Sequence, residues 1–360
     1  MDIPLALSFD DVLLVPQKSG ITSRSQVSLR TEIAPGFFLD APIIAINMDT
    51  VTGTAMAIAM SKYGGIAMMP RFDLPEEQAK KIAQVKKAGQ RIIAALGLRD
   101  DVMKRAEACV RAGADIFTID VAHGHMLRCL EVTAELKRKF KLPVISGVIA
   151  TREGAEDLFK AGADGVRVGV GAGTICVTRI VTGCGIPQMT ALMEVVKAKR
   201  KFPDRFVLAD GGTSSSGDMV KCLAAGASAV ICGSLLAGTD EAPGGVVEKE
   251  GAIYKEYNGS TSVREKERQL KKHNGHKPHF KLHIEGVEGL VPYRGPVTGV
   301  LEQLCAGIRS GFSYCGAQNI RELWQKARFI QITHAGLLES RAHGIELATG
   351  TGRKSGAGVV

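Results

Sequence analysis

Three times in this chain an amphipathic segment closes on Ala-Gly-Ala, beginning at Ala112, Ala161 and Ala225, and a short apolar, β-rich run follows directly. A glycine there stops a helix by taking a left-handed conformation. The apolar run after it is too short for a helix and reads as a buried strand. The same unit recurs without that signature elsewhere, giving expected strands at 43–46, 65–69, 91–96, 116–121, 143–148, 165–170, 205–209 and 229–233. Helix-prone segments lie between them, among them 75–88, 101–112, 126–140, 152–161, 190–201 and 216–225. Eight strand–helix units with short links predict an α/β fold, a (β/α)8 TIM barrel, whose chemistry sits on the loops after the strands. A doubly wound open sheet is the competing arrangement.

Composition narrows the class of function. A hydrophobic share of 45% over 360 residues supports a sizeable core, and 42 glycines suit many tight loops. No apolar run reaches membrane-spanning length, and Met1-Asp-Ile-Pro lacks the basic start and apolar core of a signal peptide, so no membrane association is expected. A net charge of +9 suits nucleic acid or a phosphate-bearing small ligand. Aromatics make up only 5% and the basic residues are dispersed, so nucleic acid is not the expected partner. The eight cysteines include no Cys-x-x-Cys pair, and most sit in apolar patterns. That fits reduced thiols in a cytoplasm.

The stretch Gly169-Val-Gly-Ala-Gly-Thr-Ile-Cys176-Val-Thr-Arg179 follows the sixth expected strand. Glycines at alternate positions let the backbone turn tightly and approach a ligand or ion. A thiol at the end of such a loop, with Thr178 and Arg179 beyond it, is placed for nucleophilic work. The seventh strand ends in Asp210-Gly211-Gly212 and the eighth in Gly233-Ser234. Glycine-rich turns after the last two strands of a barrel commonly bind phosphate through backbone amides. Asp210 can accept from both ribose hydroxyls, while Gly211, Gly212, Gly233, Ser234 and Thr174 can surround a phosphate. Together with Cys176 they point to a nucleoside monophosphate.

His123 and His125 alternate without a third nearby ligand, so a metal site is not expected there. The long connection 241–291 is polar and charged, with little apolar periodicity, and so long an excursion from a barrel is usually functional. It carries a basic run at 264–272 and then His273, His276, His279 and His283, with Pro278 breaking any helix. A mobile basic flap over an anionic ligand is expected rather than zinc.

The Gly-rich loop ending in Cys176-Val-Thr-Arg179 resembles the active-site loop of the IMP dehydrogenase/GMP reductase family. The family usually has Pro at Ala172 and Ser at Thr174. The likeness runs from Leu7-Ser-Phe-Asp-Asp to about Ala335. One catalytic barrel of residues 1–347, including the flap at about 241–291, is expected, and the Gly-rich, basic stretch at 348–360 reads as a flexible tail or a subunit contact. The regulatory CBS pair that dehydrogenases of the family usually insert near Leu98-Arg-Asp-Asp is not expected. The likeness implies that Cys176 adds to the second carbon of a purine and that a hydride moves between that carbon and nicotinamide, from NADPH or to NAD. Asp120 would then hold the nicotinamide ribose. Asn47, in Asn47-Met-Asp-Thr-Val-Thr52, lies in the family's loop over the purine and is expected to contact cofactor. Tyr257 would reach the phosphate, and Gly259 in Tyr257-Asn-Gly-Ser-Thr-Ser262 would border the base, whose wall Asn258, Ser260 and Thr261 change. The family's Gly-Asn-Val after the fifth strand is replaced by Gly147-Val-Ile149.

Direction is the open question. A dehydrogenase needs an Arg-Tyr pair on its flap to activate water, and none stands between Tyr257 and Glu285. Lys271, Lys272 or Arg268 could replace the lost Arg. A reductase relies on a Thr-Glu pair, which the resemblance places at Thr178 and Glu285, although bacterial-type dehydrogenases carry that pair too. GMP reductase is therefore the expected activity, with IMP dehydrogenase and a catalytically silent nucleotide-binding barrel as alternatives. A potassium ion on the carbonyls of Gly171, Gly173 and Cys176, and a homotetramer, follow from the resemblance alone.

Overall fold

The computed structural model describes residues 3–272 and 283–343. Eight parallel strands close into a barrel in chain order: Ile43–Ala45, Ile66–Met69, Ile93–Leu96, Ile116–Ile119, Val144–Ile149, Gly165–Val168, Phe206–Asp210 and Ala229–Cys232. The last pairs with the first through Val230–Ile43, Ile231–Ile44 and Cys232–Ala45. Closure excludes the open sheet. Nearly every strand residue is buried, because one face packs inside the barrel and the other against the helices. That is why the strands read as unbroken apolar runs.

The helices following the strands include Pro75–Lys87, Val102–Arg111, Leu127–Lys139, Arg152–Lys160 and Ser216–Ala224. Two of them start on side-chain caps, with Thr151 accepting from the Gly154 amide and Ser215 from the Asp218 amide. Gly113, Gly162 and Gly226, the centres of the Ala-Gly-Ala endings, all have positive φ. The segment expected at 190–201 begins earlier, as Gln188–Val196 after Pro187, and finishes in the 3-10 turn Lys197–Arg200. The helix after the first strand, Thr54–Tyr63, is apolar along most of its length and gives no amphipathic signal. The long Val297–Tyr314 follows the eighth strand and packs on Ser216–Ala224.

A hairpin before the barrel, Thr31–Ala34 with Phe37–Leu39, closes the end where the strands begin. Its Ile33, Ala34 and Leu39 join Ile44, Ile66, Ile93 and other inward-facing residues in one buried cluster. The opposite end is left for the loops that carry the site.

The described parts of the connection at 241–291 carry more regular structure than its polarity suggests. Val246–Lys249, Ala252–Asn258 and Glu288–Pro292 form a three-stranded antiparallel sheet, and Val263–Lys272 is a helix. His273, His276, His279 and the tail at 348–360 lie outside the described residues.

Candidate active site

The loop after the sixth strand lies hard against the end of the seventh. A Cβ on Gly169, whose φ is 151°, would sit 1.9 Å from the Asp210 carbonyl oxygen, so only glycine fits there. Further on, the Cys176 amide donates to the Gly173 carbonyl at 3.0 Å, and a short helix, Thr178–Thr182, begins. The flap meets this loop edge to edge. Val177 donates to the Glu285 carbonyl at 2.9 Å, and Val287 to the Ile175 carbonyl at 3.0 Å. Cys176 and Gly286 thereby form an antiparallel bridge.

That pairing aligns three side chains. The Cys176 thiol donates to Thr178 Oγ1 at 3.1 Å, and the Thr178 hydroxyl donates to Glu285 Oε2 at 2.7 Å. A nucleophile, a hydroxyl and a carboxylate in hydrogen-bonded series can pass a proton between the sulfur and a group bound beside it.

Next to this line is a cradle of small residues. Gly211 and Gly212 both have positive φ, 84° and 82°, and turn the chain out of the seventh strand. Tyr257, on the flap sheet, brings its hydroxyl to Thr174 and the Ser234 amide. A Cβ on Gly233 would fall 2.5 Å from that hydroxyl. Burial pushes the Tyr257 phenol up to about 12, which Thr174 and the Ser234 amide only partly offset. The phenol is therefore a neutral donor at working pH.

The third component is a row of charges. Arg167, buried in the sixth strand, donates from Nη2 and Nε to Asp210 Oδ2 at 2.7 and 2.8 Å, and from Nη1 to Asp120 Oδ1 at 3.3 Å. Arg71, just past the second strand, donates from Nε to Asp120 Oδ2 at 3.1 Å. Burial alone would raise the Asp120 carboxyl; Arg71, Arg167 and the Asn47 amide outweigh it and hold it low. At Asp210 burial dominates and raises the carboxyl, with Arg167 opposing. Asn47 is 2% exposed, and its Oδ1 has no hydrogen-bond partner. An unsatisfied buried acceptor on a cavity wall is suited to a ligand's donor.

Cys176, Thr178, Glu285, Thr174, Asp210, Gly211, Gly212, Gly233, Ser234, Tyr257, Gly259, Asp120, Asn47, Gly171 and Gly173 all line one cavity of about 380 Å³. Other expectations need correction. Asn258 does not line it; its side chain donates to the buried Glu265 at 3.2 Å, whereas Ser260 and Thr261 do face the cavity. None of the three flap cations considered as water activators lines it either. Lys271 is exposed, Lys272 bonds Asp73 at 2.5 Å and Asp49 at 3.5 Å, and Arg268 pairs with Glu265 at 3.1 Å. Helical spacing turns Arg268 and Lys271 away and brings Lys266 and Gln269 inward, while Lys272, at the end of the helix, is taken up by Asp73 and Asp49. Lys266 donates to the His283 carbonyl; burial lowers its pKa, and the charge of Glu285 opposes that. His125 bonds Asp157 at 3.1 Å. Among the described residues no cluster of His, Cys, Asp and Glu is arranged to hold a metal ion.

For potassium, the loop supplies the carbonyls of Gly171, Gly173 and Cys176, of which that of Gly173 already accepts from the Cys176 amide. Hard cations bound by oxygen commonly take about six or more ligands. Three carbonyls fall short of such a shell, so further oxygens would have to come from elsewhere.

Sequence reasoning passed over Arg71, Arg167, Lys266 and Gln269. Arg167 had a signal: it is the one charged residue inside an otherwise apolar buried strand.

Comparison with known proteins decides the family. The IMP dehydrogenase / GMP reductase domain matches residues 6–343. The chain belongs to the IMP dehydrogenase/GMP reductase family. An inosine-5'-monophosphate dehydrogenase of Nitrosopumilus maritimus is 33% identical, over 96% of this chain and 100% of that protein. A GMP reductase of Leishmania donovani is 32% identical, over 95% of this chain and 98% of its own length. Among solved structures, a cysteine-to-alanine variant of GMP reductase from Trypanosoma brucei, in complex with guanosine 5'-monophosphate, superposes with a TM-score of 0.90. It is 30% identical and covers 96% of this chain and 99% of its own. Like other members of the family, this protein is an NAD(P)-dependent oxidoreductase of purine metabolism. Relatives of both names cover nearly the whole chain, the reductases at 31–32% identity and the dehydrogenases at 32–37%, and a further dehydrogenase reaches 48% over 71% of it. Overall identity thus leans to the dehydrogenases, and the direction of reaction has to be argued from the site.

Proposed function

We propose that this protein is a GMP reductase, converting GMP and NADPH to IMP, ammonia and NADP. The line Cys176–Thr178–Glu285, at 3.1 and 2.7 Å, supplies the chemistry, and the observation that carries the direction is that no Arg-Tyr pair for activating water stands between Tyr257 and Glu285. Cys176 Sγ bonds to C2 of the purine, and the C2–N bond to the amino group breaks. The thiol's own proton travels through Thr178 and Glu285 to the departing nitrogen, which leaves as ammonia. NADPH supplies the hydride that C2 then accepts. The C2–S bond breaks with its electron pair on sulfur, and a proton taken up from solvent restores the thiol, because the first one left with ammonia. Asp210 takes the nucleotide ribose, and Gly211, Gly212, Gly233, Ser234, Thr174 and Tyr257 the phosphate. Gly259 borders the base, while Asp120 and Asn47 take the cofactor.

IMP dehydrogenase is the second reading, and Lys266 is what favours it. A cavity-lining lysine with a depressed pKa is a plausible base for the water that hydrolysis requires. Nicotinamide absorbance separates the two. Signal lost with ammonia released from GMP and NADPH establishes the reductase. Signal gained from IMP and NAD, dependent on potassium, establishes the dehydrogenase and gives the Gly171–Gly173–Cys176 loop its cation.

The same reading makes residues 1–347 one catalytic unit, assembled as a homotetramer, which sedimentation tests directly. It places the enzyme in a reducing cytoplasm, supported by eight free cysteines. No helix among the described residues is long and apolar enough to cross a membrane.

A further inference from the structure

Among the bonds described at the cavity, those of Arg167 reach both carboxylates assigned to ribose. Its side chain is 3% exposed. Two of its bonds, at 2.7 and 2.8 Å, fall on one oxygen of Asp210, so Oδ1 of that carboxylate carries none of them. Its third bond reaches Asp120 at 3.3 Å. Arg71 touches Asp120 but has no bond to Asp210 among those described. A buried guanidinium left without its carboxylates is costly, so Arg167 must follow whichever partner is held in place. Its planar fork also carries orientation from one partner to the other, as a lysine's single ammonium does not.

We propose that Arg167 is a positioning residue that couples the two subsites, so that a purine nucleotide on Asp210 tightens binding of the dinucleotide at Asp120, and the reverse. The proposal rests on the purine-nucleotide reading of the cavity. Its sign follows from the bond pattern. A ribose hydroxyl on Oδ1 of Asp210 does not compete with Arg167 for an oxygen; it pins the carboxylate, and through it the guanidinium. The 3.3 Å bond to Asp120 is the longest of the set and gains most from that ordering. Asp120, held by Arg71 on its other oxygen, then presents a fixed pair of acceptors to the second ribose. Linkage requires the effect to be reciprocal and of the same size in both directions.

The test is calorimetric titration of the full chain with GMP or IMP, alone and in the presence of ADP-ribose or its 2′-phosphate. These probes keep the ribose that Asp120 would hold and lack the nicotinamide ring, so ring stacking on the purine contributes nothing. Each ligand should tighten the other about fivefold to tenfold in the wild type. In Arg167→Lys the coupling should fall below about twofold while each ligand still binds alone. In Arg71→Lys the ADP-ribose should weaken while coupling persists. Should Arg167→Lys melt early, Arg167→Gln, which leaves both ribose-binding carboxylates in place and cannot span them, is the second bridge variant and must lose the coupling equally. Undiminished coupling in either bridge variant overturns the proposal, as does a wild type that binds both ligands independently. A wild type that binds neither GMP nor IMP removes the purine reading itself and the coupling with it.

Discussion

At the scale of single residues, the site is a proton path whose members differ in what their loss should do. Thr178→Val breaks the path at its middle and leaves Cys176 in place. Turnover of GMP should fall by about a hundredfold or more, the usual worth of a positioned acid–base group, with GMP affinity nearly unchanged. Glu285→Gln should fall as far. Lys266→Met separates the two readings: in a reductase it should cost less than about tenfold, because the relay does not pass through it. A loss equal to that of Glu285→Gln would make Lys266 a base and move the assignment to the dehydrogenase. The sequence exposed these residues unequally. Cys176 announced itself by the glycines around it. Glu285, 107 residues from Thr178, had no local signal, and only the family resemblance placed it. Lys266 was missed for a geometric reason, since a dense basic run shows which residues are charged but not which face of a helix meets a cavity.

At the scale of elements, the flap is a small folded unit docked on the barrel. Its strand Ala252–Asn258 starts exposed at Ala252 and Ile253 and ends buried, at Lys255, Tyr257 and Asn258, with Tyr254 and Glu256 half-buried. The flanking strands are short and mostly exposed, and Glu288–Pro292 joins from beyond the flap helix, which is why the sequence showed only polarity there. The barrel strands were legible for the opposite reason, being covered on both faces. The far end of the described flap helix is fastened by Lys272 to Asp73 and Asp49, on the loops after the second and first barrel strands. Lys272 is partly solvent-exposed, so Lys272→Ala should cost global stability no more than about 1 kcal/mol. Its effect should instead appear locally, as faster limited proteolysis of the flap and a nucleotide KM raised several-fold. Unchanged cleavage and KM would show that the latch contributes nothing.

At the scale of the whole molecule, cysteine chemistry reports on the fold. Six thiols are buried, Cys176 is half-buried and Cys184 is exposed. A disulfide-forming thiol reagent should therefore label two positions quickly in the native protein and all eight in denaturant, with nucleotide protecting Cys176 and not Cys184. Burial pushes Cys109 and Cys232 up to about 12 and Cys129 to about 11, and the Tyr257 phenol also to about 12. The folded protein thus holds protons that the unfolded chain releases near its ordinary thiol and phenol values. Stability is intact below about pH 9 and must decline as pH rises from there toward about 12. Denaturant midpoints at pH 8, 9.5 and 10.5 should fall in that order; a flat series would mean that these groups are not shielded as described. The edge-to-edge joint between 175–177 and 285–287 has a different kind of consequence. Nucleophile and carboxylate belong to separate parts of the molecule, and only backbone pairing brings them into line. A ligand that wedged this seam open by the width of one strand would leave a cysteine still able to capture an electrophile but unable to complete a cycle. The seam is thus a place where the enzyme can be stopped with its nucleophile still reactive.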